Sequence, residues 1–308
     1  MPTLASSKNV ASMTDGILLL DKPEGMTSFD VVSRVRKLYG TRQVGHTGTL
    51  DPLATGLLAV LVGRAVKASE FLTEKDKEYI AGMRLGMTTD TEDITGKILS
   101  QSRDIPAESE VLAAANRFVG EILQIPPMYS ALKVGGKKLV DLARQGITVE
   151  RTPRPVVIHA LEILDGKGSD YTMRISCSKG TYIRTLCADI GKMLGCGAVI
   201  TSLRRTGTGP YHIRDTHTLE ALEGCSFTDR CTLLLPTETL FDSFPRVQFS
   251  AFYERLARCG CEIYQKKIGS SFSVGTRLRV YGENGFFALG EVRDYPDGTA
   301  IKSLKLFG

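Results

Sequence analysis

Apolar residues follow two rhythms along this chain. Gly16-Ile-Leu-Leu-Leu-Asp21 and Leu57–Val62 are unbroken apolar runs of strand length, as in buried strands. From Ser28, a candidate N-cap, Val31, Val32, Val35 and Leu38 recur at helical spacing until Gly40 ends the pattern. Arg64–Leu72 predicts a short helix, Lys77–Leu85 a further strand, and Thr88–Gly96 a polar loop. A helix near Glu108–Val119 precedes Pro126-Pro127 and the basic stretch Lys133–Lys138, so residues from about 100 to 150 read as an insertion between strands. Pro155–Leu164 and Tyr171–Cys177 alternate as strands do. Thr181–Leu194 reads as a helix and Ala198–Arg204 as a strand. Helices and strands mix without a regular βαβ repeat, which predicts the α+β class. After Phe244-Pro245, read as a linker, Gly275–Tyr281, Phe286–Val292 and Thr299–Lys305 are short strands between Gly/Asn/Asp turns, the pattern of a small β-barrel.

Composition narrows the picture. A chain of 308 residues suggests about two domains. With 42% hydrophobic and 24% charged residues it is not globally disordered. No apolar run approaches the roughly 18 residues of a membrane span. Residues 1–15 lack the apolar stretch of a secretory signal and read as a disordered leader. The seven cysteines are odd in number and contain no CxxC, which argues against a disulfide framework or a zinc site and for reduced thiols in the cytoplasm. The net charge of +5 is uneven. From Arg246 onward there are 10 Lys/Arg against 6 Asp/Glu, a basic excess that suits an anionic partner such as nucleic acid.

Two stretches carry candidate chemistry. Gly45-His-Thr-Gly-Thr-Leu-Asp-Pro-Leu-Ala-Thr-Gly56 is a tightly bent loop with one carboxylate, Asp51, at its centre, held out of the helical region by Pro52. Taken alone, an Asp-Pro is most often a turn cap. No GxxxxGK[ST], GxGxxG or GxSxG supports a phosphate loop or a hydrolytic elbow, and the four histidines have no metal spacing. The second stretch, Ser176–Leu186, puts Gly180 at a strand-to-helix junction and Tyr182 and Arg184 in the first helical turn. An arginine there opposes the helix dipole and is better tolerated beside an acid.

Together these stretches resemble the bacterial tRNA pseudouridine-55 synthases of the TruB type. The likeness rests on Gly16–Asp21 with Lys22-Pro23, Gly25-Met-Thr-Ser28, Gly45–Gly56, Lys77–Leu85 with Thr89–Asp93, Pro126–Gly146, Ser178–Leu186 and Leu203-Arg-Arg-Thr-Gly207. It implies a pseudouridine synthase domain over 16–245, with a mixed, largely antiparallel sheet flanked by helices and an RNA-clamping insertion at about 100–150. It also implies a PUA-like RNA-binding barrel over 246–308. The implied reaction is isomerisation of the tRNA T-loop uridine 55 to pseudouridine, an intramolecular transfer needing no cofactor or metal. Asp51 aligns with the family's nucleophile, able to attack the sugar C1′ or uracil C6. Arg184 aligns with its partner, expected as a bidentate pair. His46, Tyr79, Tyr182 and Leu203 align with substrate-contacting positions, and Tyr79 could also take the C5 proton. The implied partner is the T-arm of tRNA, met by a monomer in the cytoplasm with no protein partner or membrane. Two other readings share the scaffold: a guide-RNA-dependent synthase of the archaeal and eukaryotic type, and a non-catalytic RNA-binding or tRNA-folding protein.

Overall fold

The computed structural model describes residues 14–307. The leader expected over 1–15 therefore lies mostly outside the described residues. Asp15, at its end, accepts hydrogen bonds from the backbone N–H and the guanidinium Nε of Arg64.

The strands run in chain order as β1 (Gly16–Lys22), β2 (Val44–His46), β3 (Thr55–Val62), β4 (Lys77–Leu85), β5 (Met87–Thr89), β6 (Ile98–Gln101) and β7 (Gly120–Gln124). They continue as β8 (Lys133–Val134), β9 (Lys137–Lys138), β10 (Arg154–Lys167), β11 (Asp170–Cys177), β12 (Ala198–Thr208) and β13 (Tyr211–His212). The tail adds β14 (Arg246–Gln248), β15 (Ile263–Tyr264), β16 (Arg277–Gly282), β17 (Gly285–Tyr295) and β18 (Gly298–Leu306). The main sheet has the order β1-β3-β12-β4-β11-β10-β7, with β2 on β3 and β13 on β12. Its pairings are antiparallel except β3 with β12, which run parallel. This is the α+β class that the residue pattern predicts and the mixed, largely antiparallel sheet that the resemblance implies.

β1 and β3 are buried on both faces, which is why they carry no polar alternation. Leu18, Leu20, Leu58 and Val60 point into one core with Val31, Val32 and Val35 of the helix Ser28–Tyr39. Ile17, Leu19, Leu57, Ala59 and Leu61 point into a second core on the other face.

Three expectations are corrected. The N-cap of the helix Ser28–Tyr39 is Thr27, which forms a capping box with Asp30; Ser28 is the first helical residue and its hydroxyl is engaged elsewhere. The segment from about 100 to 150 is not one insertion. Its β7 is the edge strand of the main sheet, paired with β10, while β8, β9 and the helix Leu139–Arg144 lie outside that sheet. Phe244-Pro245 is not a loose linker. Phe244 packs into the second core with its ring 6.1 Å from that of Phe241, and the Pro245 carbonyl accepts the Arg279 N–H.

The tail forms a curled five-stranded sheet in the order β14-β16-β17-β18-β15, antiparallel except for β14 on β16. Its own core holds Val247, Phe249, Leu278, Val280, Phe287 and Val292. Leu289 and Phe307, however, join the second core beneath β1 and β3. Phe241 is the hub of that junction, with ring centroids 5.2 Å from Phe71, 6.0 Å from Phe286 and 5.7 Å from Phe307. Lys305 also pairs with Glu70 at 2.7 Å across it.

Candidate active site

Strand register assembles the site. Arg205 of β12 lies opposite Gly56 of β3 on one side and Tyr79 of β4 on the other. Leu203, two residues before Arg205 on the same strand, shares its face. Arg205, Tyr79 and Leu203 border a cavity of about 490 Å³, whose other walls include Asp51, Lys77, Tyr129, Tyr182 and Arg184. That volume is within the roughly 300–1,000 Å³ of small-molecule sites.

The loop carrying Asp51 is tied down along its length. The Ser28 hydroxyl accepts the Leu50 N–H at 2.9 Å and donates to the Leu50 carbonyl at 3.1 Å. The Pro52 carbonyl accepts the Gly25 N–H at 2.8 Å and Lys22 Nζ at 3.5 Å. Arg205 donates through Nη2 to the Gly48 carbonyl at 3.2 Å and through Nε to the Leu57 carbonyl at 2.7 Å. A short turn, Ala54 N–H to the Asp51 carbonyl at 3.0 Å, leaves the Asp51 side chain facing the cavity at 41% exposure.

Arg184 is the second residue of the helix Ile183–Met193 and is buried. Its Nε meets Asp51 Oδ2 at 2.9 Å. The bidentate pair expected from the sequence is not formed. Nη1 donates to the Thr91 carbonyl and Nη2 to the Tyr129 carbonyl, both at 2.8 Å. Asp93 Oδ2 lies 3.9 Å from Nη1. A buried guanidinium near a helix N-terminus thus faces carbonyls and carboxylates, which offset both its desolvation and the unfavourable dipole.

Burial shapes the titration of the surrounding groups. It pulls the Lys22 amine from 10.5 to about 8, with Asp51 opposing, and the Lys77 amine to about 8, with Arg205 reinforcing. It raises the phenols of Tyr79 and Tyr182, against nearby arginines, so both are neutral at neutral pH. Burial and then Arg205 lower the His46 imidazole, keeping it neutral too.

Of the residues singled out from the sequence, the cavity brings together Asp51, Arg184, Tyr79, Tyr182 and Leu203. His46 does not line it. It ends β2 opposite Val60, with its Nδ1 buried and unpartnered among the described residues. Sequence reasoning passed over Arg205 and Lys77. The two-residue strand period from Leu203 was the signal for Arg205, and the same period back from Tyr79 was the signal for Lys77. Among the described residues no cluster of three or more His, Cys, Asp or Glu could hold a metal, and no helix is long and apolar enough to cross a membrane. All seven cysteines are free thiols.

Comparison with known proteins gives this geometry a context. Residues 36–183 match the N-terminal domain of TruB family pseudouridylate synthases, and residues 184–242 match the tRNA pseudouridylate synthase B C-terminal domain. The chain is 43% identical over 293 residues to the tRNA pseudouridine synthase B of Aromatoleum aromaticum, covering 95% of this chain and 92% of that one. It is 44% identical to the protein of the same name from Methylobacillus flagellatus, over 92% and 93% of the two chains. A solved chain from a Cbf5-Nop10-Gar1 complex superposes with a TM-score of 0.72 at 27% identity, covering 96% of this chain and 86% of that chain. That likeness spans the tail as well, whose curled sheet is a PUA-like half-barrel. With both family models matched in order and such identity along nearly the whole length, the chain belongs to the TruB family of pseudouridylate synthases, the bacterial enzymes that make pseudouridine in tRNA.

Proposed function

We propose that this chain converts the T-loop uridine at position 55 of tRNA to pseudouridine, with Asp51 as the nucleophile. The observation that carries the reading is the ion pair between Asp51 and a buried, fully engaged Arg184 at the mouth of an aromatic-walled cavity. An ionised carboxylate held this way is oriented and charged before substrate arrives.

The target base has to leave the T-loop stack, which costs a few kcal/mol. Stacking on Tyr79, worth about 1–3 kcal/mol, and contact with Leu203 recover part of that cost. Asp51 attacks the nucleotide, and the N1–C1′ bond breaks. The freed uracil turns within the pocket, C5 bonds to C1′, and the bond between Asp51 and the nucleotide breaks, returning the free carboxylate. The C5 proton then leaves and N1 carries one, so the reaction is an isomerisation with no net change of atoms. Tyr79 is neutral, so its hydroxyl takes the C5 proton only as it passes on its own, a relay rather than a resident base. Tyr182 borders the same space, and His46, outside the cavity, is available to the RNA loop that the base has left. Lys133, Lys137 and Lys138 on the β8–β9 hairpin face phosphates, as does the basic tail.

Purified chain, incubated alone with an unmodified T-loop transcript, should yield pseudouridine at position 55. Asp51→Asn should yield none while binding tRNA within several-fold of wild type, because the amide is nearly isosteric but a poor nucleophile. Product at a site outside the T-loop overturns the substrate. Activity of Asp51→Asn within tenfold of wild type removes Asp51 from its role. A guide-dependent enzyme makes product only when guide RNA and proteins are added, and a pure RNA-binding protein makes none.

A further inference from the structure

We propose that Gln124 is a positioning residue for the reaction, setting the start of the helix that carries Arg184 so that the guanidinium reaches Asp51. The inference rests on the reading of Asp51 and Arg184 given above.

Gln124 is the last residue of β7 and is 1% exposed. Its carboxamide addresses both backbone groups of a single residue 58 positions away. Nε2 donates to the Tyr182 carbonyl at 3.1 Å, and Oε1 accepts the Tyr182 N–H at 2.9 Å. A side chain thereby imitates one rung of a β-ladder. Tyr182 is the N-cap of the helix Ile183–Met193 and makes no side-chain capping bond there. Its backbone is extended, with φ −101° and ψ 108°. Gln124 thus holds the last extended residue before the helix, and Arg184 follows two residues later.

The other end of Gln124 matters as much. Its backbone is paired to Arg154 of β10, so the anchor is part of the main sheet. From it the chain runs through Pro126 and Pro127, whose fixed φ stiffens the path, to Tyr129. The Tyr129 carbonyl accepts Arg184 Nη2 at 2.8 Å. One carboxamide therefore ties together the two segments that close on the same guanidinium. Glutamate at this position keeps the acceptor for the Tyr182 N–H but turns a second oxygen on the Tyr182 carbonyl. Methionine keeps the volume and satisfies neither group. Asparagine is too short to reach both.

The test compares Gln124→Glu and Gln124→Met with wild type by single-turnover pseudouridine formation at saturating enzyme, tRNA affinity and thermal melting. Misplacement of a reacting group by about 1 Å costs roughly 100-fold in rate. Both variants should therefore react about 10- to 100-fold more slowly, with tRNA affinity within about threefold and melting within a few degrees. Because Gln124 acts through Arg184, adding Arg184→Lys to either variant should slow it by no more than about threefold beyond the slower single variant. A wild-type rate in both variants overturns the proposal. So does a loss that multiplies with Arg184→Lys, or one that follows loss of fold in both variants, since the carboxamide would then be a structural prop. If wild type itself makes no pseudouridine, the reading of the site fails. Wild-type product with normal variants overturns the role of Gln124 alone.

Discussion

The guanidinium of Arg184 is held on three sides, by Asp51 at Nε and by the carbonyls of Thr91 and Tyr129 at its two amino groups. A lysine has one nitrogen to offer and no planar fork. Arg184→Lys should keep the charge and still lose at least about 100-fold in single-turnover rate, within the loss of about 2.7–4 kcal/mol typical of a removed electrostatic partner. tRNA affinity, measured by filter binding, should move little. A lysine variant with normal turnover would make the three contacts incidental. At this scale the sequence is unevenly informative. Asp51, Tyr79 and Arg184 stand out because each sits in a short motif with its own local signature. Arg205 and Gln124 do not, because their partners are backbone atoms far along the chain: Leu57 is 148 positions from Arg205, and Tyr182 is 58 from Gln124. Residue type and spacing say nothing about such pairings. For the same reason Ser28 reads as an N-cap. Its hydroxyl is claimed by Leu50, 22 positions away, and the neighbouring Thr27 takes the capping role.

At the scale of elements, the loop that presents Asp51 and the strand that follows it act as one unit. β3 is apolar on both faces, so hydrophobic patterning cannot set its register; a slip of one residue would exchange one apolar face for another. The glycine at its start does set it. Gly56 has φ +98°, and a Cβ there would lie 2.4 Å from the Arg205 carbonyl oxygen and 2.8 Å from the Arg205 nitrogen. Gly56→Ala should therefore cost at least about 2 kcal/mol in urea unfolding, from strain plus displaced backbone, and should lower turnover by moving Asp51. Gly45, in the same glycine-rich stretch, is the control. A Cβ there meets only Val66 Cγ1 at 3.8 Å, so Gly45→Ala should be nearly neutral. Equal costs for the two would show that glycine serves only for flexibility here. The sequence made the bent loop legible through its Gly/Pro content. It did not show which glycine is pressed against a neighbouring strand, because that depends on the parallel pairing of β3 with β12.

For the whole molecule, composition and turn spacing were enough to read a sheet-and-helix body followed by a small β-rich tail with its own basic excess. What the pattern concealed is how the two are joined. The apolar residues of β17 and β18 look alike whether they face the tail's own interior or another body. Leu289 and Phe307 face the underside of β1 and β3, with Phe241 and Phe244 between. Cutting after Pro245 would uncover that aromatic wall. The shortened chain should bind a hydrophobic dye, melt at lower temperature and tend to precipitate, whereas a soluble fragment of unchanged melting temperature would mean the contact contributes little. The intact chain should give one calorimetric transition, because neither part can unfold without exposing the core of the other. Strands β1 and β3, apolar on both sides, thus make the position at residue 245 a boundary of shape but not of energy. A lesion in the tail such as Leu289→Ala would then be felt as a shorter working lifetime of the enzyme at elevated temperature, while its grip on RNA stayed the same.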